Sequence, residues 1–122
     1  MSIVSDVLKH IPFTTEDMIS DEAFSYSIKN YIANALSELM QNGIGTPVDL
    51  FGETDPEWDD FFRGQELCKV GIPMAKDYVY IQVLILFDTP QPGTLALLKD
   101  KSRESLIRAR LEFESDLWKP II

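Results

Sequence analysis

Nearly every residue from 74 to 87 is apolar, and this segment decides which architectures are open to the chain. Apart from Lys76, Asp77 and Gln82, each residue in it is aliphatic, aromatic or methionine. A chain of 122 residues keeps such a segment away from water only by packing its other elements around it. We therefore expect one domain built around a central apolar element.

The residue types of this segment are compatible with two secondary structures. Val79, Ile81, Val83 and Ile85 are β-branched and alternate with other apolar residues, a pattern that favours a strand. A strand of this length would be unusual, however, and no second segment of the chain offers it a strand-like partner. The context therefore favours a central helix, although the residue types taken alone favour a strand.

Two segments before the central one have patterns typical of helices. Residues 2–10 carry their apolar side chains on one side. A longer helix is expected between Asp21, which with Ser20 suits an N-cap, and Gly43, which suits the left-handed position after a helix. Its apolar stripe at helical spacing consists of Phe24, Ile28, Tyr31, Ile32, Ala35 and Leu39.

Residues 44–64 are interrupted by glycine and proline and are expected to be irregular. Between residues 53 and 60 they carry five acids and no base. They also contain Val48, Leu50, Phe51, Trp58, Phe61 and Phe62, so the loop should pack onto the bundle instead of forming a linker. The i, i+3, i+4 spacing of Trp58, Phe61 and Phe62 predicts one helical turn that anchors it.

The remaining segments are also interpreted as helical. A short helix is expected over residues 65–72, and Pro73 would either kink it or open the central helix. Residues 94–117 are charged but have an apolar stripe of Leu95, Leu98, Ser102, Leu106, Ala109, Phe113 and Leu117. After residue 117 the chain is apolar, and Pro120 prevents the helix from continuing.

Charge and composition exclude several functions. Twenty acidic residues oppose eleven basic ones, a formal net charge of −9. Nucleic acids and anionic membranes are bound through basic surfaces, so we expect the chain to bind neither. A single cysteine suits a reducing compartment, no apolar run is long enough to span a bilayer, and no signal peptide is visible. We expect synthesis in a cytoplasm.

No combination of residues predicts catalysis, a cofactor or a metal. His10 is the only histidine, so neither a triad nor a zinc site can be assembled, and a surface or capping role is expected. Cys68 lies beside Leu67 and Val70 and is interpreted as a small buried hydrophobe. The acids of the 53–60 loop lack the spacing of a calcium loop, so we interpret them as a solvated face or a docking surface.

The last helix has five bases within residues 99–110, interleaved with acids. The simpler interpretation is an exposed helix whose own charges pair. The other is a contact with a neighbouring copy, in which Arg103 and Arg110 meet an acidic loop on either side of Ile107 and Leu111. The acids of that loop are Glu53, Asp55, Glu57 and Asp59. Exposed ion pairs contribute little, so they would align subunits more than hold them.

Taken together, the chain resembles the small head–tail connector (adaptor) proteins of tailed bacteriophages, especially siphoviruses of Gram-positive hosts. Three stretches between about residues 3 and 114 carry the resemblance: Leu36-Ser37-Glu38-Leu39-Met40-Gln41-Asn42-Gly43-Ile44-Gly45, the Trp58-Asp59-Asp60-Phe61-Phe62 turn, and Lys76 to Pro90 with the charged helix after it. Their order and spacing fit the family. Related chains often carry a basic residue and a tryptophan where this one has Leu84 and Ile107, so contacts there are expected to differ.

The resemblance implies an all-α fold, a small helical bundle around a central apolar helix with an ordered loop and an extended C-terminal tail. Residues 1–116 would be the connector domain and residues 117–122 the tail. The family implies a homo-oligomeric ring, commonly of twelve subunits, below the portal in the virion neck. By the same analogy the tail contacts the portal protein, through Leu117, Trp118, Pro120, Ile121 and Ile122.

The implied function is structural and not enzymatic. The ring would continue the DNA channel without binding DNA specifically, and would give a stopper or other tail-side neck protein a platform. Two alternatives stay open. One is a tail-terminator or another neck component, and the other is an acidic regulatory module that mimics DNA or inhibits a host protein.

Overall fold

The computed structural model describes residues 2–11, 21–87 and 91–117, with the last three residues of this range described by their helical backbone alone. Within these ranges the chain forms five helices and no strand. They are α1 (Ile3–Lys9), α2 (Glu22–Gln41), α3 (Trp58–Phe61), α4 (Gly71–Phe87) and α5 (Pro92–Leu117). The predicted all-α fold is confirmed.

Local signals set the ends of α2. The Asp21 carboxylate accepts hydrogen bonds from the backbone N–H groups of Ala23 at 2.8 Å and Phe24 at 3.4 Å, which satisfies two donors that a helix start leaves unpaired. Gly43 follows the helix with φ of +79°, a conformation that glycine adopts without a steric penalty. Both ends agree with the prediction.

The central segment is the helix α4, which lies between α2 and α5 and packs against both. Its buried residues, Gly71, Ala75, Tyr78, Val79, Val83 and Ile85, cover more of its circumference than a single stripe would. The β-branched pattern that favoured a strand is overridden because the neighbouring helices supply apolar surface on several sides of α4. None of the described helices has the length and apolar composition needed to cross a bilayer.

The predicted short helix over residues 65–72 is wrong. Residues 65–70 form turns, and α4 begins at Gly71. The Gln65 side chain holds these turns against the end of α2, because it accepts a hydrogen bond from Gly45 N–H at 2.8 Å and donates one to the Gly43 carbonyl at 3.0 Å. Pro73 then lies in the first turn of α4, where its missing N–H is not needed.

The loop between α2 and α4 packs onto the bundle, with one exception. Leu50, Trp58, Phe61 and Phe62 are buried and Val48 is partly buried. Gly45, at φ of +87°, lies so close to the Phe61 ring that a Cβ would be 2.1 Å from its Cζ atom. Phe51, in contrast, stays exposed, so the prediction that the loop buries its large apolar groups is wrong for this residue.

Helix α5 closes the other side of α4 with the stripe that the sequence predicts. Ala109 and Phe113 are fully buried, as is Ser102, whose hydroxyl accepts a hydrogen bond from the Gln82 amide at 2.5 Å. Phe113 also packs beneath Gly71, where a Cβ would be 2.7 Å from its ring. A glycine at the start of α4 thus lets the two helices approach closely.

Candidate assembly surfaces

The predicted intersubunit residues of α5 share its outer side. Arg103, Ile107, Arg110 and Leu111 are all exposed, opposite the side on which Ala109 and Phe113 are buried. Ile107 is 51% exposed and Leu111 55% exposed, so two large apolar side chains face solvent beside two arginines. We call this group the α5 face.

Part of the charge on α5 pairs within the helix. Arg108 lies 2.5 Å from Glu104 and Arg110 lies 3.6 Å from Glu114, both at i, i+4 spacing. This agrees with the simpler interpretation of an exposed helix with internal pairs. Arg103 forms no ion pair with any residue that the structure describes.

The four predicted loop acids, Glu53, Asp55, Glu57 and Asp59, are exposed. Glu57 has a local role, since it is the N-cap of α3 and shares a capping box with Asp60. The loop lies against α1, where the Pro56 carbonyl accepts a hydrogen bond from Ile3 N–H at 3.0 Å. Between the α5 face and these acids, no ion pair exists within the described part of the chain.

An exposed aromatic pair lies beside the loop, and the sequence analysis missed it. Tyr26 on α2 is 61% exposed and Phe51 is 47% exposed, and their ring centroids are 5.4 Å apart. The Asp49 carboxylate accepts a hydrogen bond from Phe51 N–H at 2.9 Å. The position of Tyr26, outside the apolar stripe of α2, was the only signal of it in the sequence.

Four of the predicted portal-contact residues, Trp118, Pro120, Ile121 and Ile122, lie outside the described residues, and Leu117 is the last residue of α5. The same end of the bundle exposes an apolar pair. Leu67 is 85% exposed and Val70 is 55% exposed, and they precede Gly71, which packs on Phe113 near the end of α5.

A polar cluster joins α1, α3 and α4. The Asp6 carboxylate accepts a hydrogen bond from the Trp58 indole N–H at 2.8 Å and another from the Tyr80 hydroxyl. His10 is the C-cap residue of α1, which confirms its predicted capping role. Its ring also stacks on the Tyr80 ring, with the ring centroids 3.8 Å apart. The Lys76 ammonium lies 5.5 Å from the centroid of the Trp58 ring. Asp6, Trp58, Lys76 and Tyr80 also line a cavity of about 300 Å³.

The hydrogen bonds of this cluster shift the pKa values of two groups. Burial acts to raise the pKa of Asp6, but the bonds from Tyr80 and Trp58 and the charges of His10 and Lys76 outweigh it and hold that pKa below its ordinary value. Burial, the bond to Asp6 and nearby negative charge raise the pKa of Tyr80. The Asp6 carboxylate is engaged in joining three elements, which is the role of a structural group.

No described set of three or more His, Cys, Asp and Glu residues is arranged to hold a metal ion. Cys68 is buried, as predicted.

Residues 6–116 match the sequence profile of a family described as phage connector protein. The chain belongs to the phage connector protein family. The match includes α2 to α5 and most of α1, and it ends just before the tail. No curated protein and no solved structure matches the chain.

Membership in the connector family indicates a structural role at the head–tail junction of a phage. It implies a component of the virion neck that interacts with portal and tail components. The family is structural and not known for catalysis. The exposed surfaces of this connector protein are therefore candidate sites of contact with other proteins.

Proposed function

We propose that the protein is a subunit of a homo-oligomeric connector ring, commonly of twelve copies in this family, which lies below the portal and joins it to the tail. The observation that carries the proposal is the α5 face, because two large apolar side chains exposed beside arginines are typical of a surface that a partner covers. In this connector protein the first candidate for that partner is the next copy in the ring. The exposed acids Glu53, Asp55, Glu57 and Asp59 of the neighbour would meet Arg103 and Arg110.

The tail, residues 117–122, is the proposed contact with the portal protein. It contains one tryptophan, one leucine and two isoleucines, and large apolar and aromatic side chains dominate the energetics of protein interfaces. The exposed pair Leu67 and Val70 lies at the end of the bundle where α5 ends. We propose that this end faces the portal and that the opposite end faces a stopper or another tail-side neck protein.

The proposed ring would surround the DNA as it leaves the head. Each subunit has a formal net charge of −9, so a ring of subunits would repel phosphate instead of binding it. DNA could then slide through the channel without adhering. The chain would be made in the host cytoplasm and function in the virion neck.

The location of the chain in the particle tests this proposal. Antibody labelling and imaging of purified particles should place the chain between head and tail, and particles that lack it should have filled heads without attached tails. A chain found in the tail tube would favour a tail-terminator. A soluble complex with a host protein, without any copy in the particle, would favour the inhibitory module, and both results would overturn the proposal.

Portal binding by purified protein tests the tail separately. Deletion of residues 117–122, or Trp118→Ala, should weaken binding by about tenfold or more, which corresponds to about 1.4 kcal/mol. Helix content measured by circular dichroism should not change. Lys119→Ala is the matched control because it alters a polar residue of the same segment. Unchanged portal binding by the truncated chain would remove the tail from the proposed contact.

A further inference from the structure

The exposed pair Tyr26 and Phe51 has a composition that the α5 face would complement. The pair presents two aromatic rings, and the acidic residues Asp49 and Glu53 lie within two positions of Phe51 in the chain. An acidic surface next to an apolar one on the same molecule is the counterpart of Ile107 and Leu111 with the arginines beside them. We call Tyr26, Asp49, Phe51 and Glu53 the aromatic patch.

We propose that the aromatic patch of one copy is the docking site for the α5 face of the next copy. The inference rests on the proposed ring. It adds Tyr26, Asp49 and Phe51, which are not among the four loop acids, to the surface that the α5 face contacts. Ile107 and Leu111 would lie on the rings of Tyr26 and Phe51, while Arg103 and Arg110 would pair with Asp49 and Glu53.

The dimensions of the two surfaces agree. Ile107 and Leu111 are four residues apart on α5, which is about 6 Å along a helix. The ring centroids of Tyr26 and Phe51 are 5.4 Å apart, so each aliphatic side chain can contact one ring. Arg103 and Arg110 are about 10 Å apart along the helix and about 20° apart around it, so both charges border one edge of the apolar contact, as polar residues border the centre of most interfaces.

The charges favour this pairing and not others. Among the described residues, Asp49, Glu53 and Arg103 form no ion pair, so these charges are available to a second copy. Arg110 lies 3.6 Å from Glu114 on its own helix and would exchange that exposed pair, which contributes little, for one with the neighbour. Two α5 faces would bring arginines together, and two aromatic patches would bring acids together. Like charges placed opposite one another disfavour both symmetric arrangements.

The order of the helices places the two surfaces on different sides of the molecule. Helix α4 lies between α2 and α5, and the exposed residues Tyr26 and Leu111 lie on sides of α2 and α5 that do not pack on α4. A contact between two different surfaces of identical chains is head-to-tail, and it forms a ring when its rotation closes and an open filament when it does not. The proposed contact thus has the symmetry that a ring requires.

Disulfide trapping in particles tests the contact. Phe51→Cys and Leu111→Cys would be combined in a Cys68→Ala background and carried into phage particles. Under oxidation we expect a ladder of linked multimers on a non-reducing gel. The matched control combines Phe51→Cys with Leu97→Cys, because Leu97 is 72% exposed but lies about 21 Å from Leu111 along α5.

The outcome separates this inference from the proposed function. If the chain is present in the neck and the ladder is absent, or forms only in the control, the contact is wrong and the connector role stands. If the chain is absent from the neck, the proposed function fails first. Circular dichroism of each purified variant checks that it has folded.

Charge exchange gives a second test that requires no cysteine. The pair Arg103→Glu and Arg110→Glu, and the pair Asp49→Lys and Glu53→Lys, should each reduce incorporation into particles by about tenfold or more. Supplied together in one cell, the two variant chains can alternate around the ring with attractive contacts on both sides, and incorporation should recover. Failure of the mixture to recover, with both chains folded, would overturn the proposed pairing.

Discussion

Replacing Asp6 with alanine should destabilise the fold by about 3 kcal/mol. The change removes the acceptor for the Trp58 indole N–H and for the Tyr80 hydroxyl. A hydrogen bond to a charged group contributes about 1.5–3 kcal/mol, and the Asp6 side chain is 19% exposed, so water replaces part of what is lost. For a domain of this size the melting temperature should fall by about 12 °C. Asp6→Asn keeps a neutral acceptor and should lose only about 1 kcal/mol.

The stabilisation by Asp6 should also depend on pH. Its pKa is held below the ordinary value by Tyr80, Trp58, His10 and Lys76 against the opposing effect of burial. A carboxyl group with a lowered folded-state pKa stabilises the fold above its unfolded-state pKa and loses that contribution as the pH falls through the folded-state pKa. The difference in the free energy of unfolding between wild type and Asp6→Asn should therefore have its full size at pH 7 and become smaller below about pH 4.

Urea unfolding followed by circular dichroism measures these effects. Asp100→Asn is the matched control, because Asp100 is an exposed carboxylate on α5, and it should change the free energy of unfolding by less than about 0.5 kcal/mol. Tyr80→Phe keeps the ring that stacks on His10 but removes the hydroxyl. In a double-mutant cycle, Asp6→Ala and Tyr80→Phe should couple by about 1–2 kcal/mol. A loss below 1 kcal/mol for Asp6→Ala, or the same loss at pH 3 and pH 7, would refute the reasoning.

Two further predictions concern packing. Gly45→Ala should destabilise the fold by about 2–4 kcal/mol, since a Cβ there would overlap the Phe61 ring. The control Gly43→Ala is also at positive φ but has no atom within 4 Å of the added Cβ, so it should destabilise the fold by only about 1 kcal/mol. Equal losses of stability for the two variants in urea unfolding would contradict the role of Phe61. Phe113→Ala should destabilise the fold by about 3–5 kcal/mol because the ring is fully buried. Leu111 is exposed, so Leu111→Ala should leave the stability of the monomer within about 0.5 kcal/mol of wild type. A large loss of stability for Leu111→Ala in thermal unfolding would show that this residue is not part of a free surface.

Helix α2 shows how much of the fold is predictable from sequence. Its capping residue, its apolar stripe and its terminal glycine are local signals, and each is found where the pattern indicates. The helix expected over residues 65–72 failed for the opposite reason. Its conformation depends on hydrogen bonds between Gln65 and residues 43–45, which are 20 or more positions away and leave no local pattern.

The candidate surfaces divide in the same way. The α5 face could be predicted, because charge and exposed apolar residues repeat at helical spacing along one segment. The aromatic patch could not, since Tyr26 and Phe51 are distant in sequence and meet only because the loop follows α2 back along its length. Nothing in the residue types distinguished the exposed Phe51 from the buried Phe61 and Phe62.

The sequence by itself determined three properties of the protein. These are the helix ends that capping residues mark, the strongly acidic charge, and membership in the connector family. These properties are local or compositional, so they need no knowledge of neighbours. The helical form of the central segment followed from its context and the family resemblance, against its own residue types. Only the tertiary structure decided that Asp6 is paired with Tyr80. It also decided which apolar groups remain exposed for a partner. Burial depends on contacts between residues far apart in the chain, and a side chain becomes available for assembly only when no other part of its own chain covers it.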